Sequence, residues 1–173
     1  ATTAMEIYHD ARVYDTGMVT VLEIMGRHAG WLTAASALAS YKGTGPDLIY
    51  LPEVPFDIEK FFADVDRIYK ATGKCIVAVS EGISDENGTL MVEKLSQSAK
   101  ERDSFGHAQL GGIAVTLANM IKERLGCKTR GIEFSLMQRC AAHCASAVDV
   151  EESFLAGKAA VEYAVAGVTD KMV

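Results

Sequence analysis

Apolar positions along this chain recur with two spacings. Val19 to Met25 is an almost continuous apolar and β-branched run, the pattern of a strand covered on both faces. Leu48-Ile49-Tyr50-Leu51, closed by Pro52, and Cys75-Ile76-Val77-Ala78-Val79 predict two more buried strands, and Lys128 to Phe134 alternates like a fourth. Between them the period lengthens. Ala4, Ile7, Tyr8 and Ala11 fall at helical spacing in residues 1–14, before the turn Asp15-Thr16-Gly17. A helix beginning near Ala29 is predicted to run through Leu32, Ala35, Leu38 and Ala39 and to stop at Lys42-Gly43-Thr44-Gly45-Pro46. Phe56-Asp57-Ile58-Glu59-Lys60 opens a helix with Phe61, Phe62, Val65, Ile68 and Tyr69 on one side, ending at Gly73. Leu110 to Leu125 reads as an amphipathic helix stopped by Gly126. Ala141 to Gly167 reads as one or two Ala-rich helices, with a possible break around Val150. Ser84 to Gly106 is the most polar stretch, with a turn at Asp85-Glu86-Asn87-Gly88, and has the look of an insertion or a site border.

The order β, α, β, α, β, insertion, α, β, α predicts an α/β fold, a three-layer sandwich with a mainly parallel sheet and helices on both faces. With 173 residues, 49% of them hydrophobic, the chain can bury an ordinary core, and one domain over residues 1–173 is the default. A formal net charge of −6 argues against a general nucleic-acid binder, while leaving room for a local basic pocket that holds a small anion. No apolar run is long enough to span a bilayer and no signal peptide opens the chain, so a cytoplasmic protein without a membrane partner is expected.

Cys75, Cys127, Cys140 and Cys144 are too sparse for a disulfide scaffold, and reduced thiols are expected. Cys140-Ala-Ala-His143-Cys144 has a spacing that could hold part of a zinc site, but no second Cys or His pair completes it. The favoured reading is small thiols packed at the start of an Ala-rich helix, with no metal bound by these residues.

In a parallel sheet the strand carboxyl ends share one edge, where ligands bind, so Met25-Gly26-Arg27 and Ser80-Glu81-Gly82 should meet there. Gly26 lets backbone approach a ligand, Arg27 supplies a planar fork of donors for a phosphate, and the following helix start offers unpaired N–H groups. Glu81 can accept hydrogen bonds from hydroxyls, at about 1 kcal/mol net each. An Arg and a Glu on one rim suit a phosphosugar. Arg130 stands near the start of the fourth strand and Arg139 just beyond its end, so both reach one phosphate only if that strand crosses the pocket mouth.

Met25-Gly26-Arg27 in its setting Leu-Glu-Ile-Met-Gly-Arg-His-Ala-Gly-Trp, Leu51-Pro52-Glu53, Glu81, Arg130 and Gln138-Arg139 occur in the order found in the 6-phosphofructokinases, and the resemblance spans nearly the whole chain. It implies that Met25, Gly26, Arg27, Glu81, Arg130 and Arg139 contact fructose 6-phosphate. Arg130 and Arg139 would hold the 6-phosphate and Glu81 the sugar hydroxyls. Arg27, with the catalytic role, would help neutralise the phosphoryl group being transferred. Phe105-Gly106-His107-Ala108-Gln109-Leu110-Gly111-Gly112 and Gln138-Arg139-Cys140-Ala141-Ala142-His143 resemble the pyrophosphate-dependent branch, with ATP as the other donor. The resemblance further implies Mg²⁺ for the full-length enzyme, a place in glycolysis, and self-association into homo-oligomers with sites near subunit interfaces.

Two positions depart from the family pattern: Leu136 stands where many relatives have a His or Tyr that bonds the sugar phosphate, and Met18 where relatives often have an Arg reaching the neighbouring subunit's site. A larger departure is the lack of a Gly-Gly-Asp-Gly donor loop, of a Thr-Ile-Asp-Asn-Asp motif bearing the catalytic base, and of a G-x-x-x-x-G-K-[ST] loop. Phosphoryl transfer depends on positioning and charge neutralisation around both reactants. The expectation is therefore the acceptor-binding domain of a longer two-domain enzyme, inactive alone, its donor bound by an N-terminal part. The alternative is a stand-alone, non-catalytic phosphosugar-binding or regulatory module.

Overall fold

The computed structural model describes residues 1–95 and 112–173. They form two compact units, residues 1–138 and 139–173.

In the first unit, four parallel strands make one sheet in the order β2-β3-β1-β4: β1 Met18–Ile24, β2 Leu48–Tyr50, β3 Lys74–Ser80 and β4 Lys128–Glu133. Every residue of β1 and β3 is buried, as their unbroken apolar runs require of central parallel strands. Two layers of helix cover the sheet. On one face α3 (Ile58–Thr72) and α5 (Ile113–Leu125) place Phe61, Phe62, Val65, Leu117 and Ile121 against Val19, Val21, Val77 and Val79. On the other, α1 (Thr2–Val13) sets Ala4 and Ala11 on Met18, Leu22 and Ile76. This is the α/β sandwich that the alternation of elements predicts. Phe56, Phe61, Phe62 and Tyr50 form an edge-to-face and tilted aromatic cluster with ring centroids 5.2–5.4 Å apart. The Asp57 side chain caps α3 by accepting the N–H groups of Glu59 and Lys60.

One predicted helix changes character. Instead of a long helix from Ala29, one α-turn, α2 (Trp31–Ala34), passes into a 3₁₀ helix over Ala35–Lys42 that ends at Gly43 with φ 73°. The Ser36 hydroxyl donates to the Thr33 carbonyl at 2.6 Å, taking an acceptor the α-helical ladder would use and favouring the tighter i→i+3 turn. At α5 the N-cap is Gly112, with φ 83°, so the helix starts at Ile113; the predicted start at Leu110 lies outside the described residues. So does the donor-branch segment from Phe105 to Gly111. The polar stretch after β3 does form its turn: Asp85 accepts the N–H groups of Asn87 and Thr89 and pairs with Lys94. It also has a buried anchor, Met91 and Val92, on the short helix α4 (Met91–Leu95).

A short helix, α6 (Ser135–Arg139), closes the first unit and carries the chain into the second. There a 3₁₀ turn at Ala142–Cys144 precedes α7 (Ala147–Val165), a single helix unbroken at Val150 and capped by the Ser146 hydroxyl on the Asp149 N–H. Cys140 and Cys144 are exposed rather than packed at a helix start, because the 3₁₀ turn intervenes; Cys75 and Cys127 are buried, and all four thiols are free. Among the described residues no helix is long and apolar enough to cross a membrane.

Candidate functional site

Beyond Ile24 the chain leaves β1 through Met25-Gly26-Arg27-His28-Ala29-Gly30 and enters α2. Gly26 has φ 141°, and a Cβ there would lie 2.6 Å from the Ala29 carbonyl oxygen, so only glycine makes this turn. Each of the other three strands sends a side chain from just past its own carboxyl end to a backbone N–H of this loop. Gln138, past β4, accepts the Met25 N–H at 3.1 Å. Glu81, past β3, accepts the Gly26 N–H at 3.2 Å, and Glu53, past β2, accepts the Gly30 N–H at 2.6 Å. Ser80, fully buried, donates its hydroxyl to the Gly26 carbonyl at 2.5 Å and accepts the Gly82 N–H at 3.1 Å. Gly82 lies flat on Arg27; a Cβ there would come within 2.8 Å of the Arg27 Cα and collide with its carbonyl.

Met25, Gly26, Arg27 and Glu81 thus converge at the carboxyl edge of the sheet, all half-buried. Three of the six loop amides, those of Met25, Gly26 and Gly30, are held by side-chain oxygens and are not free for an anion. What the corner does present is the Arg27 guanidinium, which has no ion-pair partner among the described residues, and the second carboxylate oxygen of Glu81. A cation and an acceptor on one rim suit an anionic, hydroxylated ligand.

Arg130 is not part of this corner. It pairs in register with Thr20, five positions before Met25, or ~16 Å along the sheet at ~3.3 Å per residue. Its side chain lines a cleft of about 300 Å³ against α1 and bonds Asp10 Oδ2 at 3.3 Å. β4 lies within the sheet and does not cross the rim, so the geometry that would bring both ends of the strand to one phosphate is absent. Arg139 opens the second unit and is exposed. Met18 is buried beneath α1, and Leu136 is exposed.

Glu23 lies two residues before Met25 on the face covered by α5. Only 6% exposed, it accepts the Ala114 N–H at 3.0 Å through Oε2. Burial pushes its carboxyl up from the ordinary 4.5 to about 7; the Ala114 bond opposes this, while Glu133, its register partner on β4, and Glu81 add to it. Glu23, Glu53, Ser80 and Gln138 carry no assigned role in the sequence reading. The signal that could have found three of them is a polar residue at or just past each predicted strand end. Among the described residues no group of three or more His, Cys, Asp or Glu could hold a metal ion, so the Mg²⁺ expected for a whole enzyme is assigned no ligand here.

Residues 1–134 match the family described as Phosphofructokinase. The pyrophosphate–fructose 6-phosphate 1-phosphotransferase of Halomonas elongata is 44% identical over 155 residues, covering 89% of this chain and 36% of the relative. The protein of the same name from Rhodospirillum rubrum is 46% identical over 152 residues, 85% of this chain and 37% of the relative. The crystal structure of the pyrophosphate-dependent phosphofructokinase from Marinobacter aquaeolei superposes with a TM-score of 0.72 at 38% identity, covering 96% of this chain and 37% of that one. The chain therefore spans little more than a third of the length of these relatives. With the family's domain matched over most of its residues and its fold reproduced at this identity, the chain belongs to the phosphofructokinase family.

Proposed function

We propose that this chain carries the acceptor site of a pyrophosphate-dependent phosphofructokinase, the part that holds fructose 6-phosphate while a phosphoryl group is transferred to it, giving fructose 1,6-bisphosphate. The observation that carries the reading is the β1 corner, where Arg27 and Glu81 share one rim of the sheet and, among the described residues, Arg27 has no ion-pair partner and the second Glu81 oxygen no hydrogen bond. Arg27 neutralises phosphate charge, and Glu81 accepts from sugar hydroxyls while its other oxygen keeps the Gly26 turn in place. Met25 and Gly26 form the wall of the sugar site. Pyrophosphate as donor is supported by the names of the relatives above; ATP is the alternative.

Arg130 and Arg139 take the 6-phosphate. Because Arg130 lies ~16 Å short of its own rim and half-exposed beside α1, its service is to the site of a second copy, in a homo-oligomer. The donor and the catalytic base belong to the remainder of a longer protein, and the chain alone is inactive. A metal ion supplies charge neutralisation on the phosphates when bound. The residues of this chain bind and orient the sugar.

Calorimetric titration of fructose 6-phosphate into the chain, into Arg27→Ala and into the Arg130→Ala, Arg139→Ala double variant tests this. Saturable binding lost in the variants is expected. A folded chain that takes up no fructose 6-phosphate, or variants that bind as the wild type does, would overturn it.

A further inference from the structure

We propose that Glu53 is a positioning residue for sugar-phosphate binding, holding the far end of the β1 loop so that Arg27 faces the ligand. The inference rests on the acceptor-site reading above. β2 and β1 are not neighbours, since β3 lies between them, yet Glu53 from the β2 corner reaches across the sheet edge to the Gly30 N–H at 2.6 Å. The fit around that bond is close. A Cβ on Gly30 would lie 2.6 Å from Glu53 Oε2, 2.9 Å from Pro52 Cδ and 3.1 Å from Leu51 Cδ2. Gly30 is buried, and its carbonyl accepts the Ala34 N–H at 2.7 Å, the first bond of α2.

The loop is thereby fixed at both ends, with Arg27 between them: Met25 by Gln138 and Gly26 by Glu81 and Ser80 at the near end, Gly30 by Glu53 at the far end. The near end has three clamps and the far end one. Removing the Glu53 carboxylate leaves the Gly30 N–H without its acceptor and lets the segment carrying Arg27 swing about Gly26, whose side-chain-free turn is the natural pivot. Glu53 is itself exposed, so its loss costs little core packing, and its effect falls on orientation rather than on the fold.

Three variants of this chain test the inference by calorimetric titration with fructose 6-phosphate, each checked for an unchanged thermal midpoint. Glu53→Ala removes the acceptor. Glu53→Asp keeps the charge but is one methylene too short to reach Gly30, and Glu53→Gln keeps the reach and an oxygen acceptor without the charge. The expected result is binding weakened ~10-fold in the Ala and Asp variants, as for a lost charge-assisted hydrogen bond, and restored to within about threefold in the Gln variant. Ala and Asp variants that bind as the wild type does, or a Gln variant as weak as Ala, would overturn the role of Glu53 and leave the acceptor site standing. A folded wild-type chain that binds no fructose 6-phosphate would overturn the acceptor-site reading and this inference with it.

Discussion

Glu23 makes the stability of the first unit depend on pH in a direction opposite to that of most carboxylates. Its carboxyl titrates at about 7 in the folded chain against 4.5 when exposed, chiefly because burial disfavours the charged form. The folded state therefore holds a proton that the unfolded state has released, and stability falls as pH rises through this window. A shift of that size corresponds to a total of about 3 kcal/mol at ~1.4 kcal/mol per pH unit, of which roughly 2–3 kcal/mol falls between pH 5 and 8. Glu23→Gln keeps a side-chain oxygen for the Ala114 N–H and removes the titration. Urea denaturation of both proteins at pH 5, 6, 7 and 8 should give similar unfolding free energies at pH 5 and a progressive gap above it, with the Gln variant the more stable. Exposed groups titrate alike in both proteins and cancel in the difference. Curves that run parallel across the range would refute the reasoning, and with it the raised titration of Glu23.

Gly82→Ala should destabilise by about 1–3 kcal/mol in urea and weaken fructose 6-phosphate binding in the same calorimeter, because the added methyl meets the Arg27 backbone and not a movable side chain. Phe61→Ala empties the centre of the aromatic cluster and should cost about 3–5 kcal/mol of unfolding free energy, read from the shift in the urea midpoint. Asp57→Ala removes the acceptor for two N–H groups at the start of α3 and should cost about 1 kcal/mol by the same measurement, with Asp57→Asn recovering most of it.

The layers of the fold were legible because burial on both faces leaves little freedom in composition. Val19 to Ile24 and Cys75 to Val79 could be nothing but central strands, and Phe61, Phe62 and Val65 fall on one side of a helix with Asp57 at its head. After Gly30 the helical spacing does not distinguish α from 3₁₀, because Ser36 can turn its hydroxyl back on Thr33. That Met25-Gly26-Arg27 and Glu81 meet at one sheet edge was legible from strand-turn patterns alone. Glu53 and Gln138 were not, since their reach follows from the strand order β2-β3-β1-β4, which periodicity does not encode. Arg130 could be assigned to a strand start, but whether that strand lies in the sheet or across its mouth is a tertiary matter.

The central strand has late partners. β1 pairs with residues 74–80 and 128–133, and the last clamp on its corner, from Gln138 to Met25, closes across 113 positions of sequence. Contacts so distant along the chain demand a large loop-closure entropy before they return any stabilisation, and parallel pairing admits no hairpin shortcut. The corner has no early, local nucleus from which to form. The Gly30 and Gly26 amides find their acceptors past β2 and β3, and the Met25 amide finds its own only in the step that seats β4, so the corner is completed by the last strand to join the sheet.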